Sequence, residues 1–307
     1  MTLPDPHAEL VAQWIEDQKG LSSIAIFQAE ALPFQVSCAL SELVRTPKGS
    51  STIVYRENPA ALSFSGLDRV AGFDISFRDS IGEEGVAVLA VLSFPDLKVV
   101  KSISRQISLK STPYVHSFLS FRESDHYVSL LRELEESDHE QPQVLFVDGN
   151  GRWHPRQAGS AVVVGVNTGL PTVGVAKDYH PIHSSDAFAD DASLDTALPY
   201  PRDFMTSQKG MRKACQALLE RRGDWMKLPG LSQKNESRVS AFDSWGAALL
   251  ASPARNASNP IFVSPGHRLS LETSVKLALA CSVNGKVPEP TRQADLIGRA
   301  EVKRIWG

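Results

Sequence analysis

The chain has 307 residues, 42% of them hydrophobic and 22% charged, with a formal net charge of -3. Such a length and core fraction suit one large domain or two small ones. The nearly balanced charge excludes a protein that coats nucleic acid by bulk positive charge, while a local basic groove stays possible.

The three cysteines, Cys38, Cys215 and Cys281, form no CxxC pair and fit a reducing compartment better than a disulfide framework. The first residues lack the basic-then-apolar order of a signal peptide, and no apolar run reaches the ~20 residues that span a bilayer. A cytoplasmic or nuclear protein without membrane association is expected.

In chain order, Leu10, Val11, Trp14 and Ile15 predict a helix over residues 8–19 that Gly20 should stop. Residues 21–60 read as an excursion, broken by Pro33, Pro47 and Pro59. Residues 67–77 predict a strand with Val70, Gly72, Asp74 and Ser76 on one face and Ala71, Phe73, Ile75 and Phe77 on the other. A carboxylate inside such a run is costly unless something pairs with it. Two more strands, 86–94 and 97–109, come next with short turns and complete an antiparallel meander.

A helix after residue 123 carries Tyr127, Leu130, Leu131 and Leu134 at helical spacing. Glu123 at its start suits the helix dipole, and capping is its simplest role. Residues 144–148 are an apolar run that ends in Asp148 and the turn Gly149-Asn150-Gly151, which reads as a buried strand with a carboxylate at its end. Residues 159–166 favour a strand by propensity, though so short a run does not separate strand from helix.

Residues 170–175 form a further strand with Lys177 just past its end. Residues 178–207 are acidic and read as a solvated, flexible insertion. A helix is expected over 208–222, a short amphipathic segment over 241–252, and a strand over 260–268 that runs into His267. Helices are then expected from Ser270 and, after a Pro288-to-Asp295 lead, near the C-terminus. The pattern suits an α/β fold, a mixed sheet with helices on both sides.

Asp74, Asp148, Lys177 and His267 fall at strand ends and Glu123 at a helix start. Three carboxylates, a lysine and a histidine from separate segments are what a metal-dependent phosphodiesterase needs, because hard oxygen ligands suit Mg²⁺ or Mn²⁺. Gly149-Asn150-Gly151 is too short for a dinucleotide fingerprint, which argues against a nucleotide-cofactor oxidoreductase.

Six blocks in order resemble the endonuclease V family: residues 69–77, 113–123, 147–156, 174–177, 264–268 and 287–292. The wording of 92–97 and 147–151 is closer to eukaryotic members. The resemblance implies an RNase H-like fold over residues 1–307, with 21–60 and 178–207 as insertions, and a helix rather than a strand over 159–166.

It implies hydrolysis of the second phosphodiester bond 3′ to inosine in single-stranded RNA or DNA, leaving 3′-hydroxyl and 5′-phosphate, by a monomer using Mg²⁺ or Mn²⁺. Asp74, Asp148 and Glu123 would form the metal shell, with His267 close by and Lys177 on the phosphate. Tyr114 would be the wedge that fills the gap left by the extruded base. Ser117, Leu119, Gly149, Asn150 and Gly151 would line the base pocket, and His154, Arg156 and Arg268 would contact phosphate. Ser117 stands where the family usually has glycine, which leaves relaxed base choice as one alternative; a non-catalytic inosine-binding adaptor is another.

Overall fold

The computed structural model describes residues 7–37, 41–44, 52–137, 139–182, 205–230 and 243–307. Helix α1 (Ala8–Ile24) runs past Gly20 instead of stopping there. Nothing lies within 4 Å of where a Gly20 side chain would project, so the glycine costs the helix only about 1 kcal/mol and does not break it. Short strands β1 (Gln35–Val36), β2 (Glu42–Val44), β3 (Val54–Arg56) and β4 (Phe64–Ser65) succeed it.

Then come β5 (Arg69–Phe77), β6 (Glu84–Ser93) and β7 (Val99–Ser108), the expected meander. Helix α2 (Ser120–Glu135) leads to β8 (Val144–Asp148), helix α3 (Ser160–Thr168) and β9 (Thr172–Ala176). The remaining elements are α4 (Gln208–Leu218), β10 (Asp224–Pro229), β11 (Ser244–Leu249), β12 (Ile261–His267), α5 (Leu271–Cys281) and α6 (Glu289–Trp306). Among the described residues, no helix is long and apolar enough to cross a membrane.

Ten strands join in one mixed sheet in the order β2-β3-β10-β11-β12-β9-β8-β5-β6-β7. Among the described residues, only β5–β8 and β8–β9 are parallel pairs. These three adjacent strands therefore end together, and open α/β sheets place ligands at the carboxyl ends of such strands. The register sets Phe73 beside Val147 and Asp148 beside Val175, so Asp74, Asp148 and Lys177 arrive at one end of the sheet.

The alternation expected for β5 holds. Ala71, Phe73 and Ile75 pack with Tyr127, Leu130, Leu131 and Leu134 of α2 and with Ala161 and Val164 of α3. Val70, Val86, Val88, Val144 and Phe146 pack on the other face with Ala294 of α6 and Val275, Ala278 and Leu279 of α5. Asp74 and Asp148 share the spacing of this second face, toward α6. The helix comes very close: a Cβ on Gly72 would lie 2.1 Å from the carbonyl carbon of Pro290, and one on Gly298 would lie 2.4 Å from Ser76 Oγ. Both glycines are there because backbone must touch strand.

Four further expectations need correction. Residues 160–166 are helical within α3, with Gly159 as the extended N-cap, as the family resemblance implied and propensity did not; Val162, Val163 and Val164 are buried, and tertiary packing outweighs the small helix penalty of β-branched residues. The 21–60 stretch is not only an excursion, since β3 pairs with β10 and extends the sheet. Residues 244–249, expected within an amphipathic segment, form the inner strand β11. The C-terminal helix is long and already includes residues 289–295, with Pro290 in its first turn, where a missing N–H costs nothing.

Candidate active site

Asp74 sits inside β5, 8% exposed, and accepts a 3.2 Å hydrogen bond from Ser76 Oγ. Burial pushes its carboxyl up to about 6, with Asp148 and Asp295 adding repulsion and Lys177 partly offsetting it. Asp148 ends β8 half-buried, and its Oδ2 accepts a hydrogen bond from Lys177 Nζ at 2.5 Å. Burial lowers the affinity of the Lys177 amine for its proton, but Asp148, Asp74 and Asp295 more than reverse that and its pKa lies above the ordinary value.

Glu123 lies in the first turn of α2 and is 5% exposed. It is not a solvated cap. Burial, followed by repulsion from Asp74 and Asp148, pushes its carboxyl up to about 8. The buried Tyr127 hydroxyl donates to Glu123 Oε2 at 3.4 Å. One helix and two parallel strands thus supply acids that feel one another's charge in a low-dielectric pocket, with Lys177 after the third strand.

Asp295 on α6 is a fourth acid, and sequence reasoning missed it. It raises the proton affinity of both Asp74 and Lys177, and it shares a hollow with Lys177, Thr291 and Arg292. The available signal was helical spacing from Pro290: in a helix starting at Glu289, Asp295 and Gly298 fall on one face, the face that meets β5.

The segment just after Lys177 anchors it to the core. Tyr179 is buried against Trp153 and Phe262 and donates from its hydroxyl to Met205 O at 2.8 Å, and Trp153 Nε1 donates to His180 O at 2.9 Å. Residues 178–182 and 205–207, expected to lie within a solvated insertion, therefore include core residues; the remainder of that insertion, with Asp186, Asp190, Asp191 and Asp195, lies outside the described residues.

Several assigned roles move elsewhere. His267 lies at the opposite end of β9, paired with Thr172, whereas Asp148 pairs with Val175. Three residues along a strand is roughly 10 Å. His267 Nδ1 accepts from the Ile26 N–H at 3.2 Å. Arg268 donates to the carbonyl oxygens of Glu30, Ala31 and Gly169. This pair fastens the segment after α1 to the sheet, away from the acid cluster.

Gly151 is buried and its N–H donates to Ser264 Oγ at 2.8 Å; a Cβ there would lie 2.4 Å from Pro265 O. Its small size serves packing and not base entry. Gly149 and Asn150 remain partly accessible, with Gly149 at φ +143°, and Leu119 is 37% exposed. Tyr114 is 66% exposed, with the Arg122 guanidinium 5.8 Å from its ring, an exposure that suits a wedge.

His154 and Arg156 form a clamp under the wedge loop. Ser117 has φ +65°, the left-handed region that costs a side-chain-bearing residue about 1–2 kcal/mol. Three donors meet at its carbonyl: His154 Nε2 at 2.9 Å, Arg156 Nη2 at 2.9 Å and Gln18 Nε2 at 3.4 Å. Burial and the Arg156 charge hold His154 down to about 3, so the ring is neutral and donates from Nε2. Arg156 also donates to Gln18 Oε1 and stacks 4.2 Å from the Phe118 ring, while Trp14 stacks on Phe121.

The clamp explains how serine occupies a position suited to glycine. Arg156→Ala removes a charge-assisted bond to that carbonyl. It is expected to lower unfolding free energy by about 1–3 kcal/mol and to loosen the loop, so that cleavage loses base discrimination. Urea unfolding and parallel assays on inosine and adenosine strands measure both; unchanged discrimination refutes the loop role.

As placed, no three His, Cys, Asp or Glu side chains among the described residues close around one point. The hard, mutually repelling oxygen donors of Asp74, Glu123, Asp148 and Asp295 nevertheless fit a divalent cation by chemical class, since such a cation relieves their repulsion.

A sequence model of a family described as Endonuclease V matches residues 51–296. The human protein of that name is 37% identical over 258 residues, spanning 83% of this chain and 78% of the relative. A crystal structure of the human catalytic domain superposes with TM-score 0.70 and 33% identity, covering 98% of both chains. Endonuclease V of Gloeobacter violaceus is 32% identical over 232 residues, 75% of this chain and 74% of its own. A Ciona intestinalis endonuclease V in complex with a 24mer DNA containing an inosine followed by a ribo-adenosine matches with TM-score 0.67 and 26% identity over 97% of this chain and 99% of that one.

Proposed function

The chain belongs to the endonuclease V family, and from that premise we propose that it hydrolyses the second phosphodiester bond 3′ to inosine in single-stranded RNA or DNA, leaving a 3′-hydroxyl and a 5′-phosphate. The observation that carries this reading is the meeting of Asp74, Asp148 and Lys177 at the ends of adjacent parallel strands. The Ciona complex with an inosine-containing DNA supports inosine-containing nucleic acid as the substrate, and RNA is our preferred form of it.

Asp74 and Asp148 would hold a divalent metal, with Glu123 and Asp295 at its edge; Mg²⁺ is the expected ion and Mn²⁺ a substitute. When bound, such an ion lowers the pKa of water and offsets charge on the phosphoryl oxygens. The protein groups do the rest. Lys177, a cation beside Asp148, is placed to hold a phosphate oxygen and to stabilise charge that grows there. Tyr127 orients Glu123. Tyr114 fills the stack when the base swings out, and Leu119, Gly149 and Asn150 lie where that base would be received.

The fixed Ser117 carbonyl argues against relaxed base choice, because the loop keeps a glycine-like conformation. The complete acid set argues against a binding-only adaptor.

The deciding experiment uses single-stranded RNA and DNA with one inosine or one adenosine at the same place. Cleavage one nucleotide beyond the inosine's 3′ neighbouring phosphate is expected with Mg²⁺ or Mn²⁺, and loss of cleavage in excess chelator. Full activity in chelator, or equal cutting at adenosine, sinks the proposal.

A further inference from the structure

Lys177 and Lys286 both line two neighbouring hollows. One contains Asp295 and belongs to the acid cluster. The other, about 130 Å³, lies by the end of β9 and α4, and its lining includes Lys177, Lys286, Arg212, Gln208 and Asn259. Three cations from three separate segments thus face one small cleft, with two neutral hydrogen-bonding side chains beside them.

Among the described residues, one carboxylate lines this cleft beside the three cations, while Lys177 also pairs with Asp148 behind it. Asp178 is the acid that lines it, and it stands 3.9 Å from Arg212 with a side chain 71% exposed. So open a pair contributes little. Lys286 is half-buried and its Nζ donates to the Lys177 carbonyl at 3.1 Å. Burial lowers its proton affinity most; Asp178 opposes that, and the charges of Arg212 and Lys177 add to the lowering. A half-buried ammonium crowded by two other cations is an arrangement that an anion relieves.

We propose that this cleft is a second phosphate subsite, in which Arg212 and Lys286 hold a backbone phosphate of the bound strand next to the one that Lys177 faces. The proposal rests on the nuclease reading and extends it: Lys177 would serve the cut phosphate, and its neighbours would fix the register of the strand across the acids. Phosphate contacts of this kind position a strand without reading its sequence. Gln208 and Asn259 add hydrogen-bond donors that suit phosphate or sugar oxygens.

The test measures binding of fluorescent single strands, with inosine or with adenosine, to the full chain in chelator across a range of salt concentrations. Each lost cation is expected to reduce the slope of log affinity against log salt by about 0.7, which is about five-fold in affinity at 0.1 M salt. Arg212→Ala and Lys286→Ala should each do this on both strands, and the double variant should lose about twice the slope. Lys98→Ala, at the opposite end of the sheet beside Ser93, is the control and should match wild type.

Lys286→Gln separates a phosphate contact from a simple pin on the Lys177 carbonyl. The glutamine retains a donor, so a pin would preserve the wild-type salt slope, whereas a phosphate contact loses it. Wild-type slopes in Arg212→Ala and Lys286→Gln overturn the subsite, as does a loss confined to inosine strands. Failure of the nuclease reading shows separately, as absence of cutting by the wild-type protein with metal present.

Discussion

Asp148→Asn is expected to lower the single-turnover cleavage rate at inosine by about a thousand-fold or more while the protein stays folded and binds its strand. Metal-assisted stabilisation of a phosphoryl transition state amounts to several kcal/mol, and about 4 kcal/mol is three decades in rate. Asparagine keeps the size of Asp148 and one carbonyl oxygen for Lys177, but it loses the anionic oxygen pair.

The same substitution should not weaken the fold. Asp148 is half-buried at a strand end, where it fills no core position, and its charge raises the proton affinity of both Asp74 and Glu123. Removing it relieves repulsion between buried acids, so the melting temperature should hold or rise. Residues kept for function at a cost in stability behave in this way. Retention of a tenth of the wild-type rate, or a large drop in melting temperature with the rate intact, would show that Asp148 is a structural turn residue.

The acids that were legible in the sequence are those whose positions contradict packing. Asp74 interrupts the apolar run from Val70 to Ile75 of its strand, and Asp148 ends a run buried on both faces; neither has a hydrophobic reason to be where it is. Lys177 was readable for the same reason. Glu123 was ambiguous because a helix start accepts a carboxylate without further cause, and only its burial beside Asp74 distinguishes the two readings. The clamp at Ser117 was not legible at all, because its donors come from residues 18, 154 and 156, and one backbone carbonyl leaves no mark in the sequence.

The sheet edge was hidden for a different reason. The residues of β10, Asp224–Pro229, begin with a charge, hold another at Lys227 and end in proline, features that resemble a loop. They pair on both sides, with β3 and β11, and Arg56 offsets the buried Asp224 through a two-point contact. Long-range pairing of this kind is invisible to local periodicity.

His267 and Asp295 give the sharpest contrast between sequence and structure, and a paired substitution separates them. Asp295→Ala is expected to slow cleavage at saturating substrate on the order of a hundred-fold, the scale for losing one charged group at a reacting centre. His267→Ala should leave that rate within a few-fold and lower unfolding free energy by about 1–3 kcal/mol, because the Ile26 N–H loses its acceptor in a part-buried site. Asp295 does have a local alternative role. It pairs with Arg299 at 2.9 Å on the helix surface, and if that were all it did, removing it would cost about 0–1 kcal/mol of stability and no turnover. Turnover therefore decides between the readings. A histidine after a strand end attracts a catalytic assignment because histidine titrates near neutral pH, but its ring nitrogen is engaged with α1's exit, three residues from the level of the acids. An aspartate in a helix after two prolines attracts none, yet the close contacts of Gly72 with Pro290 and of Gly298 with Ser76 press its helix onto β5. Rate loss in His267→Ala together with full activity in Asp295→Ala would reverse the assignment and require α6 to be a packing element only.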